Sequence, residues 1–255
     1  MERLSDNTFN DFPSDWYGIA EANHFWMKWR MQVFRLLLKD LKLLKSNDRQ
    51  VLDIGCGHGV VQHQLGEFTN WKIDGIDTNT EALENNNFKG GQVYLYNILE
   101  KRSEFNQKYD FIILFDVLEH IEDTRPFIES IFFHLKAGGI LFINVPAFEL
   151  FFSKYDTAAG HIHRYDKSTL SNTIKIPKTE IVDMRYWGAG MVPLIVARKV
   201  MLKMTSNSDQ EILNKGFRPP HDLFNKILIG AMKLETRLFR QEFFGTSLMA
   251  AIKKV

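Results

Sequence analysis

The feature that most constrains this fold is a short apolar segment that runs directly into three closely spaced glycines. Residues 51–59 read VLDIGCGHG, so a predicted buried strand over Val51–Ile54 is followed by Gly55, Gly57 and Gly59. Glycine accepts a positive φ and lets a ligand approach the backbone closely. In open α/β sheets such a turn lies at the carboxyl ends of parallel strands, where ligands bind. The segment therefore predicts a ligand-binding loop between a strand and a helix.

Strands and helices alternate along most of the chain. Apolar segments of strand length predict seven strands, at 51–54, 71–76, 92–96, 109–116, 140–145, 180–187 and 247–253. Helical patterns separate most of them, and this order is typical of a doubly wound sheet. We therefore expect an α/β fold with a Rossmann-like, doubly wound, seven-stranded, mostly parallel sheet. Helices are expected on both faces, with a helical insertion before the last strand.

The 255 residues are expected to form a single domain, 1–255. Ser14 or Asp15 is the candidate cap of a helix that runs through 24–44, while the first dozen residues are polar and expected to be loose. Residues 156–166 are expected to form a polar loop. The predicted parts are N-terminal capping helices over 1–45, a Rossmann-like core over 46–188 and 242–255, and a helical lid insertion over 189–241.

Charge, cysteine content and hydropathy limit the partners and the compartment. A formal net charge of +1 does not indicate a nucleic-acid partner. Cys56 is the one cysteine, which excludes an intrachain disulfide and favours a reducing compartment. The N-terminus has no apolar segment typical of a signal peptide, and no apolar run reaches about 18 residues. We expect a cytoplasmic protein without a transmembrane segment, for which peripheral membrane contact and oligomeric state stay open.

The glycine spacing separates two classes of cofactor site. A dinucleotide fingerprint requires G-x-G-x-x-G and an acid about 20 residues later. This chain has G-x-G-x-G preceded by Asp53, so the glycine that would contact a pyrophosphate is missing. An NAD-linked oxidoreductase is therefore the disfavoured alternative.

Residues 51–59 resemble the first motif of class I S-adenosylmethionine-dependent methyltransferases, which has the form (V/L)LD(I/V)GCGxG. The resemblance continues through Asp77, FDVLEHIED over 115–123 and LKAGGILFINVP over 135–146. It implies S-adenosyl-L-methionine as the cofactor and S-adenosyl-L-homocysteine as the product. The cofactor-binding residues that it implies are Trp26, Arg30, Asp53, Gly55, Cys56, Gly57, Asp77, Thr78, Asn97, Ile98, Asp116 and Val117.

The same resemblance implies a role for each part of the cofactor loop and its surroundings. The backbone of the glycine loop would lie against the methionine portion, and Asp53 would order the loop or hold the ammonium group. Asp77 would accept hydrogen bonds from the ribose hydroxyls, with Asp74 as the competing carboxylate. Asn97 stands where the family often has an acid that meets the adenine amine, and an amide can fill that role.

A finer resemblance covers most of the chain. HFW over 24–26 with Arg30 and GHIHRY over 160–165 are similar to one large bacterial methyltransferase group, as is the late pattern of Asn225, Glu235 and 244–248. More loosely, the chain resembles the O-methyltransferases of ubiquinone biosynthesis. In those relatives an N-terminal arginine contacts the cofactor carboxylate, and Arg30 is our candidate because a guanidinium binds a carboxylate bidentately. Phe25, Trp26 and Trp29 can instead be the apolar face of a capping helix, an alternative that we weigh equally for Trp29 and less for Trp26.

Three histidines, His120, His161 and His163, are the candidate catalytic bases. Methyl transfer depends largely on positioning, and a base helps when the acceptor is a hydroxyl. Each histidine can instead be a structural hydrogen-bonding residue.

Relatives with E-x-x-E-H and a downstream histidine bind a divalent metal, and the corresponding residues here are Asp116, Glu119, His120 and His161. Asp116 has a shorter reach than the glutamate of that motif, and we predict a metal-free site.

Aromatic residues after the later strands predict an apolar acceptor pocket, formed by Phe148, Phe152, Tyr155, Tyr186 and Trp187. We expect O-methylation of a phenolic or other hydroxyl on a hydrophobic small molecule, as in secondary metabolism.

Helical stretches at 191–204 and 221–240 are apolar and basic. They either cover the substrate mouth or reach a lipid-like or carrier-bound intermediate at a membrane surface. A non-catalytic methyltransferase-like binding partner is another alternative, and an RNA methyltransferase is disfavoured by the balanced charge.

Overall fold

The computed structural model describes residues 1–6, 24–45, 48–204, 208, 211–212, 222–238 and 243–255. Its strands are β1 (Glu2–Arg3), β2 (Gln50–Ile54), β3 (Lys72–Asp77), β4 (Val93–Leu95), β5 (Tyr109–Phe115), β6 (Leu135–Pro146), β7 (Thr179–Trp187) and β8 (Ser247–Lys254). Its helices are α1 (Phe25–Asp40), α2 (Val60–Gly66), α3 (Thr80–Glu84), α4 (Thr124–His134), α5 (Lys154–Ala158), α6 (Lys167–Ile174), α7 (Val192–Lys203) and α8 (Asp222–Leu238).

The strands of the described residues form one sheet in the order β1-β4-β3-β2-β5-β6-β8-β7. Strand β8 runs antiparallel to both β6 and β7, and every other pair is parallel. The predicted α/β, mostly parallel sheet is therefore confirmed, and each of the seven predicted strands is present. An eighth strand, Glu2–Arg3, pairs with Tyr94 and Leu95. The expectation that the first dozen residues are loose is wrong at this point, because the pairing partner lies far away in the sequence.

The central strand β5 has apolar side chains on both of its faces. Ile112 and Leu114 pack in a core cluster with α4 and α6, while Phe111 and Ile113 pack in the cluster beneath α1 and α2. A parallel sheet covered on both sides needs such continuous apolar strands. The two cores hold the carboxyl ends of β2, β3 and β5 at one edge of the sheet.

Helix α1 is capped by His24, whose Nδ1 accepts a hydrogen bond from the Trp26 backbone N–H at 3.2 Å. Burial lowers the pKa of His24 to about 4, so the imidazole is neutral and able to accept this bond near neutral pH. The predicted caps, Ser14 and Asp15, lie outside the described residues. Phe34 and Leu37 are fully buried and pack this helix onto the sheet.

The segment predicted as a polar loop over 156–166 begins instead within helix α5. Ser153 and Asp156 form a capping box, in which each side chain bonds the backbone N–H of the other residue. This reciprocal pair satisfies two donors of the first turn and stabilises a short helix that the polar composition concealed.

Helices α7 and α8 lie between β7 and β8 in the sequence, as expected for an insertion before the last strand. The predicted linker with Arg218, Pro219 and Pro220 lies outside the described residues. Within the described residues, no helix has the length and hydropathy needed to cross a membrane. The division of the chain into core and lid stays a prediction.

Candidate functional site

A cavity of ≈ 690 Å³ opens at the carboxyl ends of β2, β3 and β5. It is lined by all but one of the predicted cofactor-binding residues, namely Arg30, Asp53, Gly55, Cys56, Gly57, Asp77, Thr78, Asn97, Ile98, Asp116 and Val117. Trp26 is the exception, since its ring packs on Trp187 with 4.7 Å between centroids. The structure thus brings together residues that are up to about 90 positions apart, as expected for ligand sites of open α/β sheets.

The glycine loop turns because its three glycines adopt positive φ values, +71° at Gly55, +48° at Gly57 and +82° at Gly59. Residues other than glycine rarely adopt a positive φ. A Cβ on Gly55 would lie 2.5 Å from Cγ2 of Val117, so this loop closely approaches the segment that follows β5. Glycine is therefore required there both for the backbone conformation and for space.

Asp77, at the end of β3, ties its own loop to the glycine loop. Its Oδ2 accepts a hydrogen bond from the Gly57 N–H and its Oδ1 accepts one from the Asn79 N–H, each at 2.9 Å. Burial raises the pKa of this carboxyl, while the N–H donors of Asn79 and Gly57 act in the opposite direction. Asp77 lines the cavity as its ribose role requires, and the ribose contact itself stays a prediction.

Asp53 places an uncompensated carboxyl group in the cavity wall. It is 2% exposed, and its Oδ2 has no hydrogen-bond partner within the described part of the chain. Burial raises the pKa of Asp53 to about 8, Arg30 opposes this shift and Asp77 reinforces it. Buried polar atoms are normally paired, so this oxygen points to a ligand with a hydrogen-bond donor.

Arg30 is the second buried charged group of the cavity. Its Nη1 pairs with Oδ2 of Asp116, and its guanidinium lies 5.2 Å from the centroid of the Phe115 ring. Asn144 Nδ2 donates to the other Asp116 oxygen at 2.6 Å, and Trp187 Nε1 donates to Asn144 Oδ1 at 2.9 Å. Arg30 therefore contacts an internal carboxylate in this structure, and its predicted contact with a cofactor carboxylate stays a prediction.

Asn97 caps a short 3-10 turn, Ile98–Glu100, at the other end of the cavity. Its Oδ1 accepts from the Leu99 N–H at 3.0 Å, and its own N–H donates to Ser5 Oγ at 2.8 Å. Ile98 and Leu99 add apolar surface to the same wall. A polar edge beside an apolar face is the environment that a planar base requires.

The three predicted catalytic histidines occupy different positions. His120 lines the cavity, and its Nδ1 lies 2.9 Å from the Gly160 carbonyl oxygen. Burial, and secondly His161, lower the pKa of His120 to about 4, so its imidazole is neutral near pH 7. His161 lies beside it, with 5.0 Å between ring centroids. His163 is exposed, and the structure does not bring it to the cavity.

Three of the four residues named for a metal come together. Glu119, His120 and His161 each offer a ligand atom, and these atoms lie within 4.8 Å of one another. Asp116 is not in this group, and its oxygens are bound by Arg30 and Asn144. The metal-free site stays a prediction.

The predicted acceptor aromatics do not line this cavity. Phe148 stacks on Tyr186 with 4.7 Å between centroids, and Tyr155 is buried in a small cluster with Leu202. Trp187 is 2% exposed in the core beneath α1. Phe152 is partly buried, and it too lies outside the cavity lining. The acceptor pocket therefore stays a prediction, for which the placement of these side chains offers no support.

Sequence reasoning missed several cavity residues, namely Met27, His58, Asn79, Tyr96, Ile121, Glu122, Asp123, Phe127 and Gly160. His58 occupies the variable position of the glycine motif, and Asn79 caps α3 by accepting from the Ala82 N–H at 3.0 Å. The polar N-cap pattern was a usable signal for Asn79. Most of the others lie on loops whose direction no local pattern indicates.

A mostly parallel sheet with a glycine loop and an acid on the adjacent strand end defines this chain as a Rossmann-like cofactor-binding protein. The family model described as "Methyltransferase domain" matches residues 25–175, more than half of the chain. The chain therefore belongs to the methyltransferase-domain family.

Relatives of known name agree with this family. The chain is similar to the ubiquinone biosynthesis O-methyltransferase of Rickettsia typhi, with 29% identity over 151 residues. The match covers 56% of this chain and 57% of that relative, so the chain spans only about half the length of the curated relatives it matches.

Solved structures with low sequence identity share the fold. A SAM-dependent methyltransferase from Archaeoglobus fulgidus has a TM-score of 0.51 at 16% identity, covering 89% of this chain and 96% of that one. Phosphoethanolamine N-methyltransferase 2 of Haemonchus contortus, in complex with S-adenosyl-L-methionine, has a TM-score of 0.53 at 17% identity, covering 88% of this chain and 52% of that one.

The cavity fits S-adenosylmethionine. The cofactor has an ammonium group that suits the unpaired oxygen of Asp53, and hydroxyls that suit Asp77. Its carboxylate matches Arg30, whose Nε has no partner within the described residues. The apolar surface at Ile98 and Leu99 suits the adenine ring.

Proposed function

We propose that this chain transfers the methyl group of S-adenosylmethionine to a phenolic or other hydroxyl oxygen of a hydrophobic small molecule. The observation behind this proposal is His120, a neutral imidazole in the wall of the cofactor cavity. A neutral imidazole can accept the proton that a hydroxyl loses when it is methylated. The similarity to an O-methyltransferase of Rickettsia typhi supports an oxygen acceptor.

The bound cofactor supplies an electrophilic methyl group on a sulfonium. Asp53, Arg30 and Asp77 would hold S-adenosylmethionine as the methyl donor; the acceptor oxygen would bond the methyl carbon as the carbon–sulfur bond broke, and that electron pair would stay on sulfur. The hydroxyl proton passes to the imidazole of His120 and then to water. Gly160 holds this ring through its carbonyl oxygen at 2.9 Å from Nδ1, which directs the other nitrogen of the ring to act as the base.

A transfer assay with the purified full chain tests the acceptor class. The probes are S-adenosylmethionine labelled in the methyl group and four acceptor panels: phenols such as dihydroxybenzoates, carboxylates without hydroxyls, amines and RNA. We expect labelled product and S-adenosylhomocysteine with phenols alone. Turnover of only a carboxylate, an amine or RNA would refute the proposal. Asp77→Ala, which should weaken cofactor binding, serves as the negative control.

We propose as a second candidate that the acceptor is lipid-like or carrier-bound and is reached at a membrane surface. Helix α8 exposes Ile227, Leu234 and Leu238, which are 57%, 58% and 63% exposed and lie on one side of the helix. Helix α7 and its end expose Val200, Met201 and Met204, at 55%, 52% and 84%.

The charges around these exposed apolar residues favour an anionic surface. Lys226, Lys233 and Arg237 are exposed on α8. The one acid among its side-chain-described residues, Glu235, turns inward and accepts hydrogen bonds from the backbone N–H groups of Gly188 (3.1 Å) and Gly190 (2.8 Å). Apolar side chains flanked by cations are typical of helices that lie on anionic membranes.

Co-sedimentation with vesicles tests this candidate. We expect the chain to pellet with phosphatidylglycerol-containing vesicles more than with pure phosphatidylcholine, and the double variant Ile227→Ser/Leu234→Ser to lose this binding. The matched control is Ile181→Ser/Val182→Ser, which removes two exposed apolar side chains from β7. Equal binding by all three proteins, or by none, would exclude a membrane role for α8.

A further inference from the structure

A buried carboxylate lies behind His161, the neighbour of the cavity-lining His120, and has no part in the function proposed above. Asp156 is 0% exposed. Its Oδ1 lies 3.0 Å from His161 Nδ1 and accepts a hydrogen bond from Arg164 Nε at 2.7 Å. Its Oδ2 accepts from the backbone N–H of Ser153 at 2.8 Å and from Ser153 Oγ at 3.1 Å.

Both oxygens of this carboxylate accept hydrogen bonds, Oδ1 from Arg164 Nε and Oδ2 from the Ser153 N–H, so the geometry holds the ionised form. The ionised form decides the tautomer of His161. Burial acts to raise the pKa of Asp156, but His161 and Arg164 outweigh it and hold the pKa at about 2. An ionised carboxylate accepts hydrogen bonds and cannot donate them. His161 Nδ1 must therefore bear the hydrogen of this contact, and in the neutral imidazole Nε2 is the atom with the available lone pair.

The ring of His161 lies beside that of His120, which lines the cavity. Its plane meets that of His120 at 71°, with 5.0 Å between centroids. One ligand-capable atom each of Glu119, His120 and His161 lies within 4.8 Å of the others. With Nδ1 turned to Asp156, Nε2 is the atom that His161 can offer to this group.

We propose that Asp156 is a positioning residue for methyl transfer, which holds His161 as the Nδ1–H tautomer with Nε2 directed to Glu119 and His120. Arg164 keeps the carboxylate in place, since it bonds Asp156 Oδ1 and also donates from Nη1 to the Ala147 carbonyl at 3.1 Å. Carboxylates that orient histidines in this way strongly affect the reactivity of the ring. The proposal rests on the proposed function, because it concerns the histidines of the same site.

Asp156 also has a structural role, and the test must separate the two roles. Together with Ser153 it forms the capping box of α5. Ser153→Ala breaks the serine half of that box and leaves the contact between Asp156 and His161 in place. This variant is the matched control: it removes the Ser153 Oγ bond to Asp156 Oδ2, keeps the bonds from the Ser153 N–H and Arg164, and should lower Tm by about as much as the capping loss in Asp156→Asn.

The first measurement is NMR spectroscopy of the wild-type chain with ¹⁵N-labelled histidine, in which His161→Gln assigns the signals. We expect the His161 shifts of an Nδ1–H tautomer in the wild type and in Ser153→Ala. In Asp156→Asn we expect a mixture of tautomers, because an amide can present either an acceptor or a donor to the ring. An Nε2–H tautomer in the wild type would overturn the proposal even if Asp156→Asn fails to fold.

The second measurement is turnover of the phenol that the wild type methylates fastest. We expect kcat of Asp156→Asn to fall by at least about 10-fold, because the ring is no longer held in one tautomer. The Kd for S-adenosylhomocysteine, measured calorimetrically, should stay within about twofold. Unchanged kcat in Asp156→Asn, or an equal loss in Ser153→Ala, would contradict a positioning role. If the wild type methylates no phenol, the proposed function fails, and the tautomer of His161 still decides whether Asp156 orients the ring.

Discussion

Asp53 combines two properties that rarely occur together, complete burial and an oxygen without a partner. The pKa of about 8 means that its carboxyl is mostly protonated in the free protein at neutral pH. A cofactor ammonium beside it would favour the charged form. Binding of S-adenosylmethionine is therefore expected to release a proton from this residue.

We predict that the Kd for S-adenosylmethionine falls as pH rises from 6 to 7.5, by up to about tenfold per pH unit. The physical reason is that the ionised carboxylate, the form that binds an ammonium, becomes more populated as pH approaches 8. Isothermal titration calorimetry in buffers of different ionisation enthalpy would measure both the affinity and the released proton. Asp53→Asn, which cannot titrate, should bind more weakly and with a flatter pH dependence.

The stability of the free protein should decrease as pH rises, whereas its affinity for the cofactor increases. Because the folded pKa of Asp53 lies above the ordinary value of 3.8, its contribution is fully present below about pH 4 and is lost as pH rises through 8. We predict a Tm that decreases from pH 6 to 9, with a smaller decrease in Asp53→Asn. Parallel curves for the two proteins would show that Asp53 titrates at its usual pKa.

The predicted cofactor-binding residues that line the cavity could be identified because each of them belongs to a short, recognisable sequence pattern. The Val51–Gly59 pattern and an acid at a strand end both follow from a few adjacent residues. Asp156 and Arg164 could not be predicted in the same way, because their importance arises from burial and from the ring that they contact. Arg30 and Asp116 were both predicted as site residues, yet their contact with each other was not, since the two are 86 positions apart.

Helix α1 packs against strand β7 through three tryptophans, two on the helix and one on the strand. Trp187 lies 4.7 Å from Trp26 and 5.7 Å from Trp29, measured between ring centroids. Its indole N–H also donates to Asn144, the residue that holds Asp116. This contact links the packing of a helix to the geometry of the cavity.

We predict that Trp187→Phe lowers the free energy of unfolding by about 1–3 kcal/mol, because the buried oxygen of Asn144 loses its donor. It should also weaken cofactor binding, since Asn144 then holds Asp116 less firmly. Urea denaturation and calorimetry would measure the two effects. Trp29→Phe is the matched control, because its indole nitrogen has no partner within the described residues and so no hydrogen bond is lost. Equal effects in both variants would attribute the loss to ring packing alone.

At the level of elements, long periodic segments were predictable and short ones were not. The apolar stripe of α1 and the strands β2, β3 and β5 bury large surfaces, so their patterns are strong. Helix α5 has five residues and depends on one capping box. The predicted acceptor aromatics do not line the cofactor cavity, because a residue after a strand can turn into the core, as Phe148 does against Tyr186.

Across the whole molecule, the N-terminal strand connects the edge of the sheet to the cofactor cavity. Ser5 is buried, and its Oγ accepts the Asn97 N–H at the wall that suits adenine. Arg102 Nη2 donates to the Leu4 carbonyl at 2.6 Å and fixes the same segment. Residues that precede the domain core thus help to shape the cavity.

We predict that Ser5→Ala lowers the free energy of unfolding by about 1–3 kcal/mol, because a buried N–H loses its acceptor. The Kd for S-adenosylmethionine should rise, because the turn at Ile98–Glu100 is held less firmly. Chemical denaturation and calorimetry provide the measurements. Arg3→Ala, an exposed change in the neighbouring strand β1, should leave both values near those of the wild type, and a comparable loss there would exclude a specific role for the Ser5 hydroxyl.

Strand β8 lies between β6 and β7, although it follows both of them in the sequence. During synthesis on the ribosome, the edges of β6 and β7 that pair with β8 therefore remain unpaired until residues 247–254 have emerged. Unpaired strand edges favour association between chains. A chain that terminates before residue 247 would therefore have an incomplete sheet, in which β6 and β7 each have an unpaired edge where β8 should lie. Such fragments should depend on chaperones or be degraded.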